Sequence, residues 1–180
     1  MYAVENVEPA LRPWPATPRP AADAAVLITL STRDRSPLLV VDPRAGDAVA
    51  RRLCQLHGGG RRVLAWAVLP DRALALVTAA GGGSVARLVS DLVDRTTDDL
   101  ARLGHAQVWR WPVEALPVRP EHDLAALLEY VLRAPERAGL ADGWRHWRWA
   151  GSCHWPDPEL AILTTPVVGL LWLDALTGNA

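Results

Sequence analysis

Between Arg62 and Thr78 the chain reads RVLAWAVL, then Pro70-Asp71-Arg72, then ALALVT. Two apolar runs of strand length, separated by little more than a Pro-Asp turn signal, predict a tight antiparallel hairpin. The flanking segments must then supply the partners of that hairpin. Ala25–Thr32 (AVLITLST) has the length and β-branching of a buried strand. Asp47–His57 places apolar residues at 49, 50, 53, 54 and 56, the pattern of an amphipathic helix, and Gly58-Gly59-Gly60 ends it. Gly81-Gly82-Gly83 lacks the Lys-Ser/Thr of a phosphate loop and serves as a linker, with Ser84 a candidate N-cap. Val85–Leu103 repeats the helical pattern at 85, 88, 89, 92, 93 and 100. Gln107–Val118 is predicted to be extended, with Trp109 and Trp111 on one face by the period of two. Glu121–Arg133 predicts a third helix, whose apolar face is Leu124, Leu127, Leu128, Val131 and Leu132 and which Pro135 stops. The order strand, helix, strand, strand, helix, strand, helix predicts an α+β fold. Its architecture is a ferredoxin-like antiparallel sheet with helices packed on one face.

Composition narrows the classes. Half of the 180 residues are apolar and 22% are charged, which excludes long disorder and fits one domain with a sizeable core. Residues 1–24, with Pro9, Pro13, Pro15, Pro18 and Pro20, are expected to form an extended leader. Residues 25–155 are expected to be the α+β domain, and 156–180 an apolar extension. All 19 basic residues are Arg, yet the net charge is -1. This balance argues against attachment to nucleic acid by bulk electrostatics and leaves local patches open. Two cysteines cannot make a disulfide framework. The start of the chain lacks the apolar segment of a secretory signal. The apolar run Ala161–Leu173 is too short to span a bilayer and is broken by Pro166 and Gly169. A cytoplasmic protein without a membrane partner is expected.

Two stretches carry a family resemblance. LAWAVLPDRALALV (64–77) resembles the hairpin of the REP-associated tyrosine transposases, single-tyrosine HUH enzymes that write it as an apolar strand, Met-Pro-Asn-His-x-His and an apolar strand. RPEHDLAALLEYVLRAPERAGL (119–140) resembles their acidic-start helix followed by Tyr-(Ile/Val)-x-x-Asn-Pro-x-Arg-Ala-Gly-Leu. LITLSTRDRSPLL (27–39) is similar to their first strand and turn. The resemblance implies a single-tyrosine transposase-like fold. It also implies a chemistry in which two His and a polar side chain four residues after the Tyr hold a divalent metal. The Tyr then attacks the polarised phosphate of single-stranded DNA. This chain departs at each ligand position, with Arg72 and Leu74 in the His positions and Ala134 in the Asn position, while Tyr130 is kept. Neither Arg nor Leu can ligate the metal. No cofactor and no metal are therefore expected, and the metal-dependent nickase reading is the least favoured.

Each candidate residue has a structural alternative. Tyr130 is a former nucleophile or a packing residue. Arg72 is a phosphate or carboxylate clamp or a solvent-facing turn arginine. Arg51, Arg52, Arg61 and Arg62, with Arg44 and Arg72, form a stretch of net +4 that could track a nucleic-acid backbone or be a solvated helix face. Trp66, Trp109, Trp111 and Trp147, with Arg133, could line a ligand site. Trp144, Trp147, Trp149 and Trp155 could stack bases, but nine Trp with no Phe suggests that Trp does the packing usually given to Phe. His146, Cys153 and His154 match no standard metal spacing. Two functions are carried forward. One is a domesticated transposase-like protein that has lost nuclease chemistry and binds single-stranded or hairpin DNA weakly. The other is a repurposed enzyme or binding protein for a small-molecule substrate, such as a cyclase or acid–base catalyst, using the emptied cleft around Arg72 and Tyr130.

Overall fold

The expected hairpin forms, and the sheet is built outward from it. A computed structural model describes residues 25–79, 85–118 and 124–154. The Pro-rich leader, the linker 80–84 with its candidate cap Ser84, the expected helix start at Glu121, Trp155 and the apolar extension lie outside the described residues. The elements are β1 (Ala25–Ser31), α1 (Leu38–Val41), α2 (Pro43–Gln55), β2 (Arg61–Leu69), β3 (Arg72–Ala79), α3 (Val85–Arg102), β4 (Glu114–Pro117), α4 (Leu124–Leu132), α5 (Ala134–Arg137) and β5 (Ala150–Gly151). The strand order is β4-β1-β3-β2-β5, and every pairing is antiparallel. The first four strands have the ferredoxin-like order that the sequence predicts, and β5 is added at the β2 edge.

Alternation divides the sheet into two apolar faces. Val26, Ile28 and Leu30 of β1 and Ala73, Ala75 and Val77 of β3 pack with α2 and α3. Leu27 of β1 and Leu74 and Leu76 of β3 pack with Leu128, Val131 and Leu132 of α4. The expectation of helices on one face thus describes α2 and α3, while α4 covers the other face. The sheet is buried from both sides, which is why its strands read as unbroken apolar runs rather than alternating ones.

One residue in β2 breaks the alternation. Val63 pairs with Val77, but Ala65 pairs with Leu76, so Leu64 is an extra residue in the ladder. Leu64 and Ala65 consequently join the α4 face together, and Trp66 and Val68 turn to the α2–α3 face.

Local signals position α2. Asp42 caps it by accepting from the Arg44 amide at 3.1 Å, and Pro43 occupies the first helical position. Hydrogen bonds from Arg44 and His105 hold the Asp42 carboxyl well below the usual carboxylate range. On α3, Thr96 is fully buried and returns its hydroxyl to the carbonyls of Leu92 and Val93. No helix among the described residues is long and apolar enough to cross a membrane.

Candidate functional site

The hairpin tip presents Arg72 as the first residue of β3, opposite Ser31 of β1 and Leu69 of β2. It stands on the same side of the strand as Leu74 and Leu76, the side that α4 covers. Its guanidinium turns back to its own neighbour, with Nε 3.2 Å from Asp71 Oδ1. Arg35 reaches the other oxygen of that carboxylate at 3.1 Å. Partial burial raises the Asp71 carboxyl, but the hydrogen bonds from Arg72 and Arg35 outweigh it and hold the group below its usual value.

Two residues beyond Arg72 the chemistry becomes hydrocarbon. Leu74 is 3% exposed and shares one cluster with Leu128, Val131, Leu132 and Ala134, itself 3% exposed. Burying a Leu or Val side chain contributes about 1.5–3 kcal/mol, so this seam fastens α4 to the sheet. Tyr130 packs at its margin, half-buried. The Arg137 guanidinium lies 4.2 Å from the centre of the Tyr130 ring and also donates to the Tyr130 carbonyl oxygen. Arg133 is engaged on its own helix side, 3.1 Å from Glu129 and 3.8 Å from Glu136. A divalent cation needs lone-pair donors. The side chains at the positions where the resemblance implies such donors are a guanidinium, an isobutyl group and a methyl group, and this set does not fit a metal. Among the described residues no group of three or more His, Cys, Asp or Glu is placed to hold one.

The tryptophans serve separate purposes. Trp66 is 9% exposed on the α2–α3 face, beside Gly151, with Nε1 buried. Trp109 is 4% exposed and donates to Thr96 Oγ1 at 3.0 Å. Trp111 is 65% exposed. The expectation that Trp109 and Trp111 share a face is therefore corrected. Only an isolated bridge, Thr32 to Trp109, holds this stretch, Val108 and Trp109 are buried in succession, and the regular strand starts at Glu114. Trp147 donates to the Val68 carbonyl at 2.8 Å and meets Trp149 edge-on, with ring centres 5.5 Å apart. Trp149 donates to Asp47 Oδ1 at 2.8 Å. Trp144 packs against the α4 cluster.

The arginine stretch is partly neutralised. Arg52 makes a two-pronged pair with Asp99, at 2.7 and 2.9 Å, and Arg44 pairs with Asp42 at 3.0 Å. Arg51, Arg61 and Arg62 have no carboxylate at ion-pair distance among the described residues. A shallow concavity of about 90 Å³ runs between Arg52, Arg61 and Arg95.

Two groupings were not legible in the sequence. Arg33, Arg35, Arg110 and Trp111 line one concavity of about 320 Å³ with Asp34. Residues so far apart in the chain give no local signal. Cys54 and Cys153 lie in hydrogen-bonding contact, and the rings of His57 and His154 are 6.1 Å apart. Burial lowers the His154 imidazole, with Arg62 and His57 acting in the same direction.

No family model matches the chain, and no curated protein matches it. Among solved structures, a REP-associated tyrosine transposase bound to a REP hairpin is similar over 88% of this chain and 92% of its own, with a TM-score of 0.63 at 14% identity. A candidate transposase from Deinococcus radiodurans R1 matches over 66% of this chain and 95% of its own, with a TM-score of 0.45 at 18% identity. The chain thus shares its overall α+β fold with a REP-associated tyrosine transposase.

Proposed function

We propose that this chain is a transposase-fold protein that binds single-stranded or hairpin DNA weakly and has lost metal-dependent strand cleavage. The observation that carries the loss of chemistry is the burial of Leu74 and Ala134 in one apolar cluster beneath α4. A cation placed there would lose its hydration and gain no ligand in return. Tyr130, the remaining member of the family set, has the Arg137 guanidinium stacked on its ring. A phenol without a metal or a neighbouring base is a poor nucleophile at neutral pH. The DNA reading draws on the kind of partner held by the structural relative, a REP hairpin, and on Arg51, Arg61 and Arg62, which have no carboxylate at ion-pair distance among the described residues.

A labelled DNA hairpin with a single-stranded tail tests both halves. Binding is expected at low salt, with a slope of log K against log salt of about -2 to -3, equivalent to three or four phosphates. Incubation with Mg²⁺ or Mn²⁺ is expected to give no covalent protein–DNA product. A Tyr130-dependent adduct overturns the loss of chemistry. Absence of binding at low salt overturns the DNA reading in favour of a small-molecule ligand near Arg72 and Tyr130.

A further inference from the structure

At the end of the sheet that carries the hairpin tip, three segments distant in sequence are laced together. The turn Arg33–Arg35 follows β1. The stretch 107–111 runs beside it, joined by the Arg33 amide to the Val108 carbonyl at 2.7 Å and the Arg110 amide to the Ser31 carbonyl at 2.8 Å. The hairpin tip is held by the Thr32 amide, 2.8 Å from the Asp71 carbonyl. These contacts bring Arg33, Arg35, Arg110 and Trp111 around the concavity of about 320 Å³.

Three features make this more than a polar surface. The first is strain. Asp34, Arg35 and Gln107 have φ of 56°, 55° and 53°. They are the non-glycine residues with positive φ among the described residues, and all three flank this concavity. Such conformations are costly for residues that carry a Cβ and persist where the surrounding contacts enforce them. Here Arg33 donates to Gln107 Oε1 at 2.7 Å, and Arg35 is tied to Asp71, so both side chains are held in place.

The second is charge. Three guanidiniums line the concavity and Asp34 is the single acid among the lining residues. Arg110 has no ion-pair partner among the described residues. Guanidiniums held as a fixed group favour an anion that accepts several hydrogen bonds at once, which is the chemistry of a phosphodiester.

The third is Trp111. Its neighbour Trp109 is anchored in the core by Thr96, so the backbone here is fixed and the Trp111 indole stands out in solvent. An exposed indole beside cationic groups offers a π-face to an unpaired base, a contact that tolerates any sequence. Duplex DNA hides those faces inside its stack.

We propose that Arg33, Arg35, Arg110 and Trp111 form a site for one unpaired nucleotide of a DNA strand, the guanidiniums taking the phosphate and the indole stacking on the base; this rests on the DNA-binding reading above. The site borders the hairpin tip through Asp71, whose carboxylate accepts from both Arg35 and Arg72. An unpaired tail seated here would run past the hairpin tip.

The test compares one DNA hairpin with and without an unpaired thymidine tail, by fluorescence anisotropy on the full chain. Wild type is expected to bind the tailed hairpin more tightly. Trp111→Ala is expected to weaken the tailed hairpin about tenfold and leave the blunt one unchanged, while Trp111→Tyr keeps most of the preference. Arg33→Gln/Arg110→Gln is expected to flatten the salt slope for the tailed hairpin by about 0.7, one phosphate contact of a single strand. Arg102→Gln, an equal charge loss per residue on α3, should leave the tail preference intact. Circular dichroism checks that each variant is folded; because Trp111 is exposed, its replacement should not unfold the chain. If wild type binds both hairpins equally, or if Trp111→Ala keeps the tail preference, this site is refuted while DNA binding stands. If neither hairpin binds at low salt, the DNA reading fails and the site falls with it.

Discussion

Replacing Gly46 by Ala should destabilise the fold, although Ala is the better helix former by about 0.8–1 kcal/mol. Gly46 lies in the first turns of α2 and is buried. A Cβ there would stand 2.5 Å from the Leu39 carbonyl oxygen and 2.9 Å from both Cε2 and Cζ2 of Trp149, where real Cβ contacts stay above 3.0 Å. Neither neighbour yields cheaply. Leu39 O is backbone, in the short helix packed under α2, and the Leu39 amide is bonded to the Pro70 carbonyl. The Trp149 ring is pinned by its bond to Asp47 and by the edge of Trp147. Overpacking of this kind costs about 1–3 kcal/mol, and contact with fixed backbone belongs at the upper end. Subtracting the propensity gain leaves a net loss of about 1–2 kcal/mol, or roughly 2–8 °C in Tm for a domain of this size. Thermal and urea unfolding of Gly46→Ala measure it directly. An unchanged or raised Tm would mean that α2 shifts freely against α1 and the tryptophans, and the account of this packing would be wrong.

Two further outcomes follow from charges and thiols. Asp71 is held below its usual carboxylate value, so its contribution is present above the unfolded-state pKa near 4 and is lost as pH falls through the lower folded-state value. Asp71→Asn should remove that part of the acid sensitivity, less than about 1 kcal/mol at neutral pH, and urea titrations across the acid range should show a flatter decline; an unchanged decline refutes it. The Cys153 thiol hydrogen-bonds Cys54 and lowers it, while the same bond, together with burial, pushes Cys153 far up. Iodoacetamide at mildly alkaline pH should therefore modify Cys54 first, as read by peptide mass spectrometry, and equal rates at both would contradict the pairing.

The hairpin, three main helices and first strand could be read because each is a local pattern in which apolar spacing matches one geometry. Pro43 after Asp42 shows why boundaries were harder: the helix starts at a cap five residues before the amphipathic pattern begins. The face taken by Trp66 could not be read, because one extra residue in β2 reverses the parity and carries no compositional mark. Trp109 and Trp111 parted for a related reason, since a period of two holds only where a ladder enforces it. At the candidate site, Leu74 and Ala134 were identified through family resemblance, and the structure gives that substitution its physical content by burying both in one seam. The guanidinium cluster arises only from tertiary contacts between the ends of β1 and the stretch before β4.

The tryptophan-rich segment after α5 has one more consequence. β2 is nine residues long, yet among the described residues β5 pairs with it only at Trp66 and Ala67. The rest of that flank is met piecemeal: Val68 donates to the Trp149 carbonyl, its own carbonyl accepts the Trp147 indole, and the Val63 carbonyl accepts the Cys153 amide. An apolar strand with an unsatisfied flank is a template on which other copies can add, the first step towards aggregation. The segment therefore works as a guard rail. Over the described residues its irregular backbone and bulky rings occupy the β2 flank without a long regular strand of their own, which blocks another copy from adding to β2 at those positions.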